Sequence, residues 1–209
     1  MSPKPAGASS FLPHTRKLSE LQAAVHDCRG CDLYRFATQG VFGEGPASAR
    51  LILVGEQPGD EEDRQGHPFV GPAGKVLRRA LADAGIDPAK VYVTNAVKHF
   101  KFEERGKRRI HKKPKASEVA ACNPWLRAEA DLVKPKVIVC LGATAAQALL
   151  GRAYRLTQEH GHFVANEWAP RITATLHPSA VLRAPDAEQR QAAYTQLVSD
   201  LTKVRKQLE

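Results

Sequence analysis

The chain has 209 residues, 43% hydrophobic and 25% charged, with a formal net charge of +9. That length allows one domain with a sizeable core, and the composition excludes disordered and fibrous classes. No apolar run approaches the ~20 residues needed to span a bilayer, so no membrane partner is expected.

Residues 1–15 are rich in Pro, Ala, Gly and Ser and lack the apolar core and cleavage site of a secretory signal. They read as a flexible tail. Residues 16–209 read as a single domain, monomeric and cytoplasmic by default. A first helix is expected from about Leu18 to Asp27, ahead of Cys28 and Cys31. Arg50–Gly55 is an apolar run ending in Gly, as a buried strand does. Ala73–Ala84 has apolar residues at helical spacing and stops at Gly85, and Val91–Ala96 reads as a second strand. The segment from Lys98 to Lys115 holds nine Lys or Arg against two Glu, so it carries seven of the nine net charges. It reads as a basic loop facing a polyanion. A helix is expected from Ser117, with Ala120 where a capping box would want Glu. Val137–Leu141 is a third strand, and Ala143–Leu150 a helix closed by Gly151. Arg171–Leu176 is a fourth strand, followed by His177-Pro178-Ser179, and Ala187–Leu208 is an amphipathic terminal helix.

This alternation predicts an α/β fold, a three-layer αβα sandwich around a four-stranded parallel sheet. In such sheets ligands bind outside the carboxyl ends of the strands. Three polar groups fall there: Glu56-Gln57-Pro58-Gly59-Asp60, Asn95, and His177-Pro178-Ser179.

The cysteines are a Cys28-x2-Cys31 pair, Cys122 and Cys140. Their spacing favours metal binding over a disulfide framework. It leaves zinc and iron–sulfur both open, and Cys140 in an apolar strand also fits a plain core thiol.

The ordered set is Cys28-x2-Cys31, Gly55-Glu56-Gln57-Pro58-Gly59-Asp60, Pro68-Phe69-Val70-Gly71-Pro72-Ala73-Gly74, Thr94-Asn95-Ala96-Val97-Lys98, Lys107-Arg108-Arg109-Ile110-His111 and His177-Pro178-Ser179. From about Leu18 to Leu208 it resembles the uracil-DNA glycosylase superfamily, its iron–sulfur family 4, and within that the UdgX branch. The resemblance implies a [4Fe–4S] cluster on Cys28, Cys31, Cys122 and Cys140. Ordinary family 4 members have Ala where this chain has Gln57, and lack the basic run ending in His111. Both departures match the UdgX branch, whose members bond covalently to uracil-containing single-stranded DNA through that histidine.

The resemblance assigns roles that the chemistry supports. A flipped uracil needs an aromatic wall, Phe69, and an amide to read O4 and N3–H, Asn95. His177 would donate near O2 to the leaving uracil anion, and the backbone around Gln57 and Gly59 would add N–H donors. In the ordinary reaction Glu56 or Asp60 positions water. Here His111 is expected to attack C1′, kept neutral by the Lys and Arg around it and oriented by Glu56. Lys98, Lys107, Arg108 and Ser179 are expected at phosphates, together with Lys101, Arg105, Lys112 and Lys113. Arg109 would fix the loop, and Phe100 and Phe102 would offer stacking surfaces. The partner implied is uracil-containing DNA, mainly single-stranded. Three other functions share these features: a multiple-turnover glycosylase, a non-catalytic uracil or single-strand binder, and a zinc-containing nucleic-acid-binding protein.

Overall fold

The computed structural model describes residues 7–209. In chain order the helices and strands are α1 (Leu18–Val25), β1 (Leu51–Gly55), α2 (Asp60–Gln65), α3 (Pro72–Asp83), β2 (Val91–Asn95), β3 (Phe102–Arg105), β4 (Arg108–His111), α4 (Ala116–Val133), β5 (Val137–Leu141), α5 (Ala143–Leu150), α6 (Leu156–Glu159), β6 (Val164–Asn166), β7 (Ala169–Thr175), α7 (Pro178–Arg183) and α8 (Ala187–Leu208).

The main sheet runs β2-β1-β5-β7-β6. The first four strands are parallel, and β6 is an antiparallel edge on β7. The sheet therefore has five strands, not the four expected. All three β6 residues are exposed, so the strand carries no apolar signal in the sequence.

Alternate residues of the central strands feed two cores, as the period of two requires. Leu51, Leu53, Val137, Val139 and Leu141 pack with Leu77 and Leu81 of α3 and Leu197, Leu201 and Val204 of α8. Ile52, Val54, Ile138, Cys140, Ile172 and Ala174 pack with Leu126 and Val133 of α4 and Ala145 and Leu149 of α5. With both faces covered, β1 and β5 are buried at every position, which is why they read as unbroken apolar runs. A third cluster gathers Leu21, Val25, Cys28, Cys31, Phe42, Val97, Cys122 and Trp125 beside the sheet.

Three local expectations change. Ala8–Phe11 forms a 3-10 turn rather than tail, with Ala8 buried. It sits so close to Gly30 that a Cβ there would lie 2.7 Å from the Ala8 nitrogen. Residues 1–6 of the expected tail fall outside the described residues. Helix α4 starts at Ala116, and its capping acid is Glu118, whose Oε2 accepts the Lys115 N–H at 2.6 Å. The basic loop contains a β-hairpin: β3 and β4 pair antiparallel from Phe102↔His111 to Arg105↔Arg108. Gly106 turns it with φ +60, the positive angle that two-residue hairpin loops require. No helix among the described residues is long and apolar enough to cross a membrane.

Candidate active site at the carboxyl edge of the sheet

A cavity of about 460 Å³ opens where β1, β2, β5 and β7 end, a size suited to a small ligand. Its lining brings together Glu56, Gln57, Gly59, Phe69, Asn95, His111, His177 and Ser179, all expected there. It also includes Lys113, expected at phosphates, and Glu62, Thr144 and Arg183, to which the sequence did not point.

One wall is Phe69, whose ring stacks toward His177 at a centroid distance of 6.2 Å. Phe69 has φ +56, unusual for a bulky residue. Its carbonyl packs onto Gly74, where a Cβ would lie only 1.7 Å away, and accepts from Arg78 at 2.9 Å. Gly55 clears the floor. A Cβ there would stand 2.3 Å from Oδ1 of Asn95 and 2.8 Å from Cζ of Phe69. The amide and the aromatic ring thus converge over a glycine, leaving a flat slot between them.

Glu62 braces this wall. It is buried; its Oε2 accepts the Gly59 N–H and its Oε1 the Gly71 N–H, each at 3.0 Å. One carboxylate thereby ties the turn after β1 to the turn that carries Phe69. A Glu three residues after Gly59 is the signal that would have found it.

His177 caps α7. Its Nδ1 accepts the Ser179 N–H at 3.2 Å, so the ring proton of the neutral form belongs on Nε2. Burial, with Arg183 and His111 adding to it, lowers its pKa to about 4. The group is a neutral N–H donor at physiological pH.

His111 ends β4 at the cavity's edge. Its Nε2 lies 3.3 Å from Oε1 of Glu56, and its side chain is half exposed. Glu56 is held from the other side by the Thr144 hydroxyl. The pKa of His111 is lowered chiefly by burial, with Glu56 opposing and Arg183 assisting. The neutral ring was expected from its basic loop; the structure assigns the cause first to desolvation.

Gln57 and Arg109 lock the hairpin that carries His111. The Gln57 amide donates from Nε2 to the carbonyls of Lys101 and Lys112, both at 3.1 Å, and its Oε1 accepts the Lys101 N–H at 3.2 Å. Both amide hydrogens are thus engaged, and one acceptor site on Oε1 remains for a ligand. Arg109 pairs with Asp60 and, through Nη1, with fully buried Asp63 at 2.6 Å, while lying over Phe100 and Phe102. Asp60, expected to position water, is occupied with Arg109 and Arg64 and does not line the cavity.

The basic segment divides. Lys98, expected at phosphates, is fully buried and paired with Glu129, a carboxylate that also accepts from Tyr92, Thr94 and Gly43 N–H. Phe100 is buried rather than open for stacking. Lys101 pairs with Glu118, and Arg105 and Lys112 share Glu103. Among the described residues Lys107, Arg108, Lys113 and Lys115 have no acidic partner and face solvent. They are the cations left for a polyanion.

Cys28, Cys31 and Cys122 share one buried cluster around Trp125, and none is in a disulfide. Trp125 Nε1 donates to Cys28 Sγ at 3.1 Å and the Lys98 N–H to Cys122 Sγ at 3.2 Å; burial pushes the Cys31 thiol up and the Cys122 thiol to about 12. Among the described residues no three donors converge tightly enough for a single ion. Cys140 does not join the other three. It lies on β5 in the separate core between sheet, α4 and α5, with burial alone raising its pKa. The apolar strand that made it look like a core thiol is what it is part of.

Residues 42–202 match the family model described as the uracil DNA glycosylase superfamily. A Type-4 uracil-DNA glycosylase of Thermotoga maritima is 38% identical over 160 residues, covering 76% of this chain and 80% of that one. Relatives of the same description from Pyrobaculum aerophilum and Archaeoglobus fulgidus are each 34% identical over 175 residues, covering 80% of this chain and 86% and 84% of theirs.

Proposed function

The chain belongs to the uracil DNA glycosylase superfamily, and from that premise we propose that it excises uracil from single-stranded DNA and ends covalently bound through His111, as in the UdgX branch. The extruded base enters the slot against Phe69 and is read by the Asn95 amide. The Nε2–H of His177 meets O2, where negative charge develops as the bond breaks. The C1′–N1 electron pair leaves with uracil, and C1′ gains oxocarbenium character. A ring nitrogen of His111 then supplies the electron pair for a new C1′–N bond, and the proton on its other nitrogen is held or taken by a carboxylate oxygen of Glu56. An N-alkylated imidazole is a poor leaving group, so turnover stops there.

The observation that carries this reading is the His111–Glu56 contact at the cavity's edge, at the end of a hairpin fastened by Gln57 and Arg109. Lys107, Arg108, Lys113 and Ser179 would meet the DNA backbone. Cys28, Cys31 and Cys122 would help hold an iron–sulfur cluster, which serves as a structural staple joining the loop after α1 to α4.

A second reading is a conventional enzyme that releases an abasic site. The Type-4 relatives favour it, and so does Glu56, which can hold a water once His111 swings away. Counting uracil released per protein separates the two. One equivalent, with a DNA band shift that survives denaturing electrophoresis, supports capture by His111. Many equivalents without the shift support the conventional enzyme. If no uracil appears, the chain is a binder and the excision reading fails. His111→Ser is expected to lose the shifted band and release uracil repeatedly.

A further inference from the structure

We infer that Thr144 commits Glu56 to His111 and thereby sets the partition between covalent capture and hydrolysis. The inference rests on the proposed capture reaction and adds a positioning residue to it.

Two outcomes are open to Glu56. With its carboxylate against the His111 ring, it takes the ring proton as the imidazole closes on C1′, and the product is the adduct. Turned to a water instead, it takes the water's proton as that oxygen gives its electron pair to C1′. The product is then an abasic sugar, and the protein is free. Which bond forms depends on where the two carboxylate oxygens point, and the terminal torsion of a Glu is broad rather than locked in a staggered well.

Among the described residues one side chain fixes that torsion by a hydrogen bond. The Thr144 hydroxyl donates to Oε2 of Glu56, and Oε1 is the oxygen that faces His111 Nε2 at 3.3 Å. The main chain of Glu56 is held separately, by the Val97 N–H donating to its carbonyl at 3.0 Å. Thr144 is itself buried, at the second position of α5. A Thr hydroxyl within a helix can turn back to the carbonyl four residues earlier. Here that residue, Cys140, belongs to β5, and the hydroxyl turns to the cavity instead.

The clasp matters because the same cavity holds competing cations. Lys113 and Arg183 line it, and neither has an acidic partner among the described residues. An unclasped carboxylate would be drawn toward them and away from the imidazole. The His111 ring is placed from the other side, tilted against Phe100 at a centroid distance of 6.1 Å. The hairpin thus sets the imidazole, and α5 sets the carboxylate that meets it.

The test compares full-length wild type, Thr144→Val and Thr144→Ser. Each is incubated with a uracil-containing single-stranded oligonucleotide, and free uracil and denaturation-resistant adduct are counted over time. Val keeps the β-branched shape of Thr and removes only the hydroxyl. Loss of a hydrogen bond to a charged group should slow capture by about 10- to 100-fold, while first-turnover release of uracil stays near wild type. Uracil released per adduct should therefore rise to several in Thr144→Val, and Thr144→Ser should return it to the wild-type ratio. An unchanged ratio in Thr144→Val, including one in which release and capture fall together, overturns the role of Thr144 and leaves capture by His111 standing. So does a Thr144→Ser protein that behaves like Thr144→Val. Wild type that releases uracil and forms no adduct overturns the capture reading, and the role of Thr144 with it.

Discussion

At the scale of single residues, the slot is defined by what Gly55 leaves out. Any Cβ there collides with both Asn95 and Phe69. Gly55→Ala should displace the reading amide by a good fraction of an ångström, and a misplacement of that order costs roughly 100-fold in rate. Single-turnover excision should fall by about that much, with at most about 1–3 kcal/mol lost from stability by overpacking. His177 makes a prediction about pH. Its pKa in the folded chain is about 4 against an ordinary 6.5, so between those values the unfolded chain binds the proton and the folded chain does not. Stability contributed by the neutral ring is intact above about pH 6.5 and is lost as pH falls from there toward 4, at up to about 1.4 kcal/mol per unit. Urea melts at pH 7, 5.5 and 4.5 should show this decline, and His177→Gln should reduce its slope without abolishing it, because the pKa of buried His99 is lowered to about 4 as well. The sequence placed Asn95 and His177 here because each stands at a strand end, whereas Phe69 was placed by the family resemblance alone. It could not place Glu62 or Thr144, which act by gripping backbone and Glu56 from neighbouring helices.

At the scale of elements, the β3–β4 hairpin brings His111 to the cavity's edge beside Glu56. In the sequence its charges hid its strands: Glu-Glu-Arg and Arg-Arg occupy positions where apolar alternation would have marked a ribbon. What the chain needed to hold such a ribbon was a clasp at its base, and Gln57 supplies three hydrogen bonds there. That links the two departures from ordinary family 4 sequences, Gln57 and the basic run, as parts of one device. Arg109→Ala would leave Asp63 buried with Thr38 as its remaining hydrogen-bond partner. Breaking such a pair costs about 3 kcal/mol, and capture of DNA by His111 should slow more than release of uracil. The exposed Lys107 and Arg108 act differently. Replacing both with Ala should weaken DNA binding and reduce the slope of log K against log salt by about 1.4, since each single-strand phosphate contact contributes about 0.7. Binding titrations at several salt concentrations would check it.

At the scale of the whole molecule, four parallel strands and both covered faces followed from apolar runs alternating with helical spacing. The fifth strand did not, because an exposed three-residue edge leaves no hydrophobic trace. Nor could charge counts reveal that Lys98 faces inward, since burial of a cation depends on Glu129 arriving from α4, 31 positions away. The resemblance grouped Cys140 with the other three cysteines, but its apolar strand sets it in the core between the sheet, α4 and α5, away from them. On the proposed reading, excision rests on strand ends locked into the sheet, and capture would rest on a hairpin laid over them. The most direct test of their union is intact mass spectrometry of the protein under denaturing conditions after incubation with a uracil-containing single-stranded oligonucleotide. A species heavier by the oligonucleotide minus uracil is expected from wild type and should be absent from His111→Ser. An unmodified protein mass alongside several equivalents of free uracil would contradict it.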